Sequence, residues 1–213
     1  LALVVLSIVP ILGGVARLLH VSGDAAQNPE HARFAHSPVP IVVHVIVVTL
    51  FSVLGAFQFS HGVRLRWPVW HRRAGRVLAV SGLIGAISGL WMTLFYRIPE
   101  PMQGDLLYWV RILVGTAMAV CIVIAWSSIL RRNVPRHEAF MIRAYALGQG
   151  AGTQVVILLP WMLITGNSLG FTRDVLMTLS WVVNAVIAEW IIARRSRPRR
   201  GRTGALRPAS AGV

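Results

Sequence analysis

The chain has 213 residues, of which 55% are hydrophobic and only 13% charged, and its mean hydropathy is +0.65. A soluble domain carries about 25% charge, so this composition excludes an ordinary soluble fold and points to a membrane protein. A formal net charge of +14 would suggest nucleic acid on a soluble protein. Here it gathers in loops and a tail between apolar runs, which leaves no nucleic-acid partner and makes anionic lipid headgroups the expected one.

A helix crossing the hydrocarbon core needs roughly 20 apolar residues. Six stretches meet or approach that length, near 1–19, 39–60, 74–95, 109–130, 139–164 and 174–193. They predict an all-α integral membrane helical bundle of about six transmembrane helices, a single domain over 1–193. A basic tail at 194–213, rich in Gly, Pro, Ala and Ser, is expected to be disordered. Pro10 and Gly13-Gly14 interrupt the first stretch, which lacks the basic start and small-x-small site of a signal peptide. It is read as a retained helix.

All 21 basic residues are arginine. With both termini cytoplasmic, Arg64, Arg66, Arg72, Arg73, Arg76, Arg131, Arg132, Arg136 and Arg143 fall inside, together with the seven arginines between 194 and 207. Asp24, Glu30, Glu100, Asp105 and Asp174 fall outside. This is the positive-inside pattern.

Polar residues within apolar runs are costly in lipid and are expected to face the bundle interior. In the second run His44, Val48, Phe51, Gly55 and Gln58 share a helical face. In the third, His71 heads a stripe of Gly75, Leu78, Gly82, Gly85 and Gly89. In the fifth, His137 heads one of Met141, Ala144, Gly148, Ala151 and Val155. Small residues allow close helix approach, and they also leave room for a flat macrocycle or a quinone ring.

His71 and His137 begin helices that run the same way, so they are expected at similar depth. Arg72, Arg73, Arg76 and Arg136 surround them, and with two helix N-termini they form an anion-attracting rim. Lipid phosphate suits this rim. The imidazoles can also ligate haem iron, or hydrogen-bond a quinone carbonyl and relay its proton.

The last run carries Asn184, expected with Gln58 in the polar interior, and Glu189, expected to pair with Arg143 on the preceding helix. Pro160 is the one late break expected in the fifth helix. The lone Cys121 excludes an intrachain disulfide and a cysteine metal cluster. No nucleophile–base set, phosphate-binding glycine loop or zinc motif occurs.

Four ordered features carry a family resemblance. They are His44 with Gly55-Ala56-Phe57-Gln58-Phe59; His71-Arg72-Arg73-Ala74-Gly75-Arg76; His137-Glu138-Ala139-Phe140-Met141-Ile142-Arg143-Ala144-Tyr145-Ala146-Leu147; and Trp181-Val182-Val183-Asn184 with Ala188-Glu189-Trp190. Together they resemble the bacterial multi-pass membrane proteins catalogued as domain of unknown function 2306. Two departures stand out. Phe140 occupies a position where the family tends to have Trp, and Gln154 lies near a place where it often has Arg.

The resemblance implies a helical bundle in the bacterial inner membrane and leaves the activity open. The layout is similar to b-type transmembrane cytochromes, with His61, His71 and His137 at one end and His44 with His20, His31 or His36 at the other. Three readings follow. One is a redox component binding haem or quinone through His44, His71 and His137, an electron carrier rather than a hydrolase. Another is an accessory or assembly protein whose polar residues fix packing. The last is a small-solute or proton transporter, against which the midplane has few charges and no inverted repeats with paired broken helices.

Overall fold

In the computed structural model the described residues are 36–167 and 169–196, with Leu3, 6–8, 11–15, Leu19 and Phe34. They form helices and connecting turns, with no strand among them. Helix α1, Pro38–Gln58, starts on a proline, whose fixed φ suits the first helical position and whose missing N–H costs nothing there. Its 21 residues span about 32 Å, close to the thickness of a hydrocarbon core.

A short helix α2, His61–Arg66, follows, with the Ser60 hydroxyl accepting the Val63 amide at its start. Pro68 cannot continue α2 and instead opens α3, Pro68–Phe95. Then come a single 3₁₀ turn at Glu100–Met102, α4 at Asp105–Leu130, α5 at Val134–Gly148, α6 at Gly150–Thr165 and α7 at Phe171–Ser196.

Most helices begin several residues before the apolar run that announced them. Hydropathy finds the part that meets lipid, whereas hydrogen bonding carries each helix through a polar first turn. The expected fifth helix is two helices, α5 and α6, which meet at Gln149 (φ −77°, ψ 1°). The break therefore falls there, and α6 runs through Pro160.

Five stretches are long and apolar enough to cross a membrane: α1, α3, α4, the α5–α6 pair and α7. The expected span near 1–19 is only partly covered by the described residues, which there belong to a shorter apolar helix, Leu6–Val15. The tail from 197 onward also lies outside them.

Helices α1, α3, α4 and α5 contact one another in a ring, and α7 packs on α4, α5 and α6. Phe51, Leu78, Met118, Ile122, Ala144 and Tyr145 form the core at its centre. Glycine is required where helices come closest. A Cβ on Gly82 would stand 2.5 Å from the Phe51 ring, and one on Gly148 would stand 2.7 Å from it. The space beside these two glycines is thus occupied by Phe51, an aromatic ring of the chain itself, whereas Gly85 and Gly89 of the same stripe face Val48 and His44.

The described N-terminal residues pack on this body. The Gln149 amide donates to the Ser7 hydroxyl at 3.2 Å, and Leu6 lies against Gly152.

Candidate binding site within the bundle

The helix break at Gln149 leaves carbonyls of α5 without their usual helical donors, and α7 supplies replacements. Asn184 donates Nδ2 to the Ala146 carbonyl at 3.0 Å, and the Trp181 indole donates to the Leu147 carbonyl at 3.2 Å. Thr153 of α6 donates its hydroxyl to Asn184 Oδ1 at 2.9 Å. Irregular backbone is tolerated within a membrane only where such partners exist. The Trp181–Asn184 segment therefore has a physical reason for its residue types: it caps a broken helix.

At the arginine-rich end, Arg143 Nε donates to Glu189 Oε1 at 2.5 Å, and its Nη2 donates to Oε2 at 2.8 Å. The Arg143 guanidinium also lies 4.9 Å from the centre of the Phe140 ring. Phe140, where the resembled family tends to have Trp, thus still offers an aromatic face to this cation. Glu138 pairs with Arg195 and lies 4.0 Å from Arg64, tying α5 to α7 and α2. Sequence spacing gave no sign of that second network, because its three members come from three separate helices.

The histidines divide into two places. His137 donates Nδ1–H to the Ala125 carbonyl at 2.9 Å, which leaves Nε2 as an acceptor in the neutral ring. His71 lies at the same end, with Arg64, His137 and Arg72 near enough to act on its charge. Its Nδ1 is buried and has no hydrogen-bond partner, and neither has the buried Nε2 of Gln58.

His44 sits elsewhere. Its Nδ1–H faces the Gly85 carbonyl at 3.1 Å and the Ser88 hydroxyl at 3.0 Å. Gly85 is fourteen residues beyond His71 on α3, about 21 Å along the axis. His71 and His137 are thus brought to one end, and His44 is not brought to them. Of its candidate partners, His36 is exposed, while His20 and His31 lie outside the described residues. Nothing is described of the His61 side chain either.

His44 borders a cavity of about 390 Å³ between α1, α3, α4, α5, α6 and α7, in the half of the bundle away from the arginine-rich end. Most of its lining is apolar. The polar exceptions include His44, Thr93, Gln154 and the Trp181 indole, with Arg111 and Arg173 also in the wall. Arg111 donates to Gln103, and Arg173 Nε donates to the Met102 carbonyl at 3.2 Å. Gln154 is 8% exposed, and its buried Nε2 has no partner. A buried amide donor left unpaired costs about 1–3 kcal/mol.

Asp174, counted from sequence as an acid on the outer side, proves to be buried, at 1% exposure. Its carboxylate accepts the Leu107 amide at 3.2 Å and the Gly104 amide at 3.3 Å. It therefore caps the start of α4 from the neighbouring helix. No group of three or more His, Cys, Asp or Glu able to hold a metal ion occurs among the described residues.

Residues 41–192 match the family described as "Predicted membrane protein (DUF2306)". The chain belongs to that family. No curated protein and no solved structure matches the sequence significantly. The fold and the family together define a multi-pass helical membrane protein.

Proposed function

We propose that this membrane protein binds a lipid-soluble molecule with a hydrogen-bonding carbonyl head, of the quinone class, in the cavity beside His44. The observation that carries this reading is the unpartnered Gln154 amide in the wall of a mainly apolar cavity. A quinone carbonyl would accept from Gln154 Nε2. Its reduced hydroxyl form would donate to His44 Nε2, the nitrogen left free by the contact with Gly85. A cavity of about 390 Å³ lies within the range of small-molecule sites. A bound quinone would supply reversible two-electron chemistry, while His44 and Gln154 bind and orient its head.

Haem is the weaker of the two cofactors expected from the sequence. His44, on α1, lies beside Gly85, about 21 Å along α3 from His71, so an iron at the arginine-rich end would draw on His71 and His137 without His44. About three turns further along from His71 and His137, the room beside Gly82 and Gly148 is filled by Phe51. The accessory reading draws support from the networks of Arg143 with Glu189 and of Glu138 with Arg195, which join helices without any ligand. Positive-inside counting favours the arginine-rich end as cytoplasmic, in a bacterial inner membrane. The cavity would then lie in the outer half.

The test is a lipid extract of the detergent-purified protein, analysed by mass spectrometry, with a short-chain quinone titrated against tryptophan fluorescence. Co-purified quinone and saturable quenching, weakened in Gln154→Leu, are the expected results. A protein that carries no quinone and shows no saturable quenching sinks the reading. A Soret band would move attention to haem and the arginine-rich end.

A further inference from the structure

An open groove of about 820 Å³ lies at the arginine-rich end, where α1, α2 and the start of α3 meet. Pro68 ends α2 and opens α3, with Trp67 between them at φ −132°, ψ 67°. Leu54, Phe57, Trp67 and Trp70 line it, with Arg66 and Arg73 in its wall. Phe57, Trp67 and Trp70 are 43%, 58% and 38% exposed, so the groove presents aromatic surface to whatever surrounds the protein. Tryptophan is favoured at the level of lipid headgroups, where one side of the ring is apolar and the other wet.

The charges point the same way. Arg64, Arg143 and Arg195 are each engaged by Glu138 or Glu189. Arg66 and Arg73 are both exposed, and no acid pairs with either among the described residues. Two cations without a counterion among the described residues therefore share an apolar groove.

We propose that this groove seats an anionic phospholipid, with an acyl chain along Leu54, Phe57 and Trp70 and the phosphate held by Arg66 and Arg73. Leu54 lies more than a turn inside a membrane-crossing helix, a depth at which an acyl chain is the natural neighbour. A zwitterionic lipid brings its own cation toward the same two arginines and loses much of the attraction. This site is at the opposite end from the cavity beside His44, and it stands whether or not a quinone binds there.

The experiment uses the full chain in detergent, titrated with phosphatidylglycerol or phosphatidylcholine and read by tryptophan fluorescence and native mass spectrometry. Phosphatidylglycerol is expected to bind about thirtyfold more tightly, from two arginines near an anionic group. Arg66→Gln with Arg73→Gln is expected to bring it down to the phosphatidylcholine level. Arg131→Gln with Arg132→Gln, at the same end but outside the groove, is expected to keep the preference. Melting temperatures of both variants, measured in the same preparation, separate lost binding from lost folding. Equal binding of the two lipids overturns the proposal, and so does a preference that survives in a folded Arg66/Arg73 variant. Full displacement of the lipid by millimolar inorganic phosphate would overturn it too, in favour of a soluble anion.

Discussion

Asn184 of α7 donates its side-chain amide to the Ala146 carbonyl of α5, three residues before the helix breaks at Gln149. One residue thus serves a backbone defect on another helix, and Thr153 holds it in place from α6. Asn184→Leu keeps the approximate volume but removes the donor. It should lower stability in detergent by about 1–2 kcal/mol, read as a lower unfolding midpoint. An unchanged midpoint would mean that the break does not need this cap.

Gln154 should respond in the opposite direction. Replacing it with Leu removes a buried amide that has no partner, so the protein without ligand should hold its stability or gain some. Quinone affinity should fall about tenfold in the same variant. The two measurements together distinguish a binding residue from a packing one, since a packing residue would lose both.

The Phe51 ring meets two helices through missing side chains. Gly148→Ala places a methyl 2.7 Å from that ring and should cost about 1–3 kcal/mol through overpacking. Gly13→Ala, with nothing within 4 Å of the added carbon, is the matched control and should be close to neutral. Thermal unfolding of the two variants side by side checks the contrast.

Arg143 and Glu189 form a two-pronged pair that is nevertheless partly exposed, with side chains 30% and 56% accessible. Exposed pairs couple weakly, by about 0.2–1 kcal/mol. A double-mutant cycle with Arg143→Gln and Glu189→Gln should return a coupling in that range and leave quinone binding unaltered. A larger effect of Glu189→Gln on ligand binding than on stability would assign the carboxylate a direct part in function.

The sequence made the helical bundle and the Arg143–Glu189 approach legible for one reason: both depend on periodicity along single helices and on the antiparallel order of the last two. Residues such as Glu138 and Asp174 were opaque. Their partners, Arg195 with Arg64 and the amides of Gly104 and Leu107, come from other helices. The cavity was half legible, since His44 signalled a polar interior position. Gln154 registered only as a departure from a family pattern, because an isolated glutamine at a helix position gives no hint of what its amide will lack.

The glycine stripes show how one pattern supports two readings until a third helix is placed. Periodicity put Gly82 and Gly148 on interior faces but could not say that Phe51, from α1, would fill both gaps.

Helix α3 has 28 residues against 21 in α1, a surplus of about 10 Å. The two pack side by side, and α2, one residue before α3, contacts both. Spare apolar length adapts to bilayer thickness by tilting, but the surplus in α3 lies at its polar start, before the apolar run. The extra turns carry His71, Arg72 and Arg73, so the surplus belongs at the headgroup level. A change in bilayer thickness would then be met first by those arginines, not by the apolar run behind them.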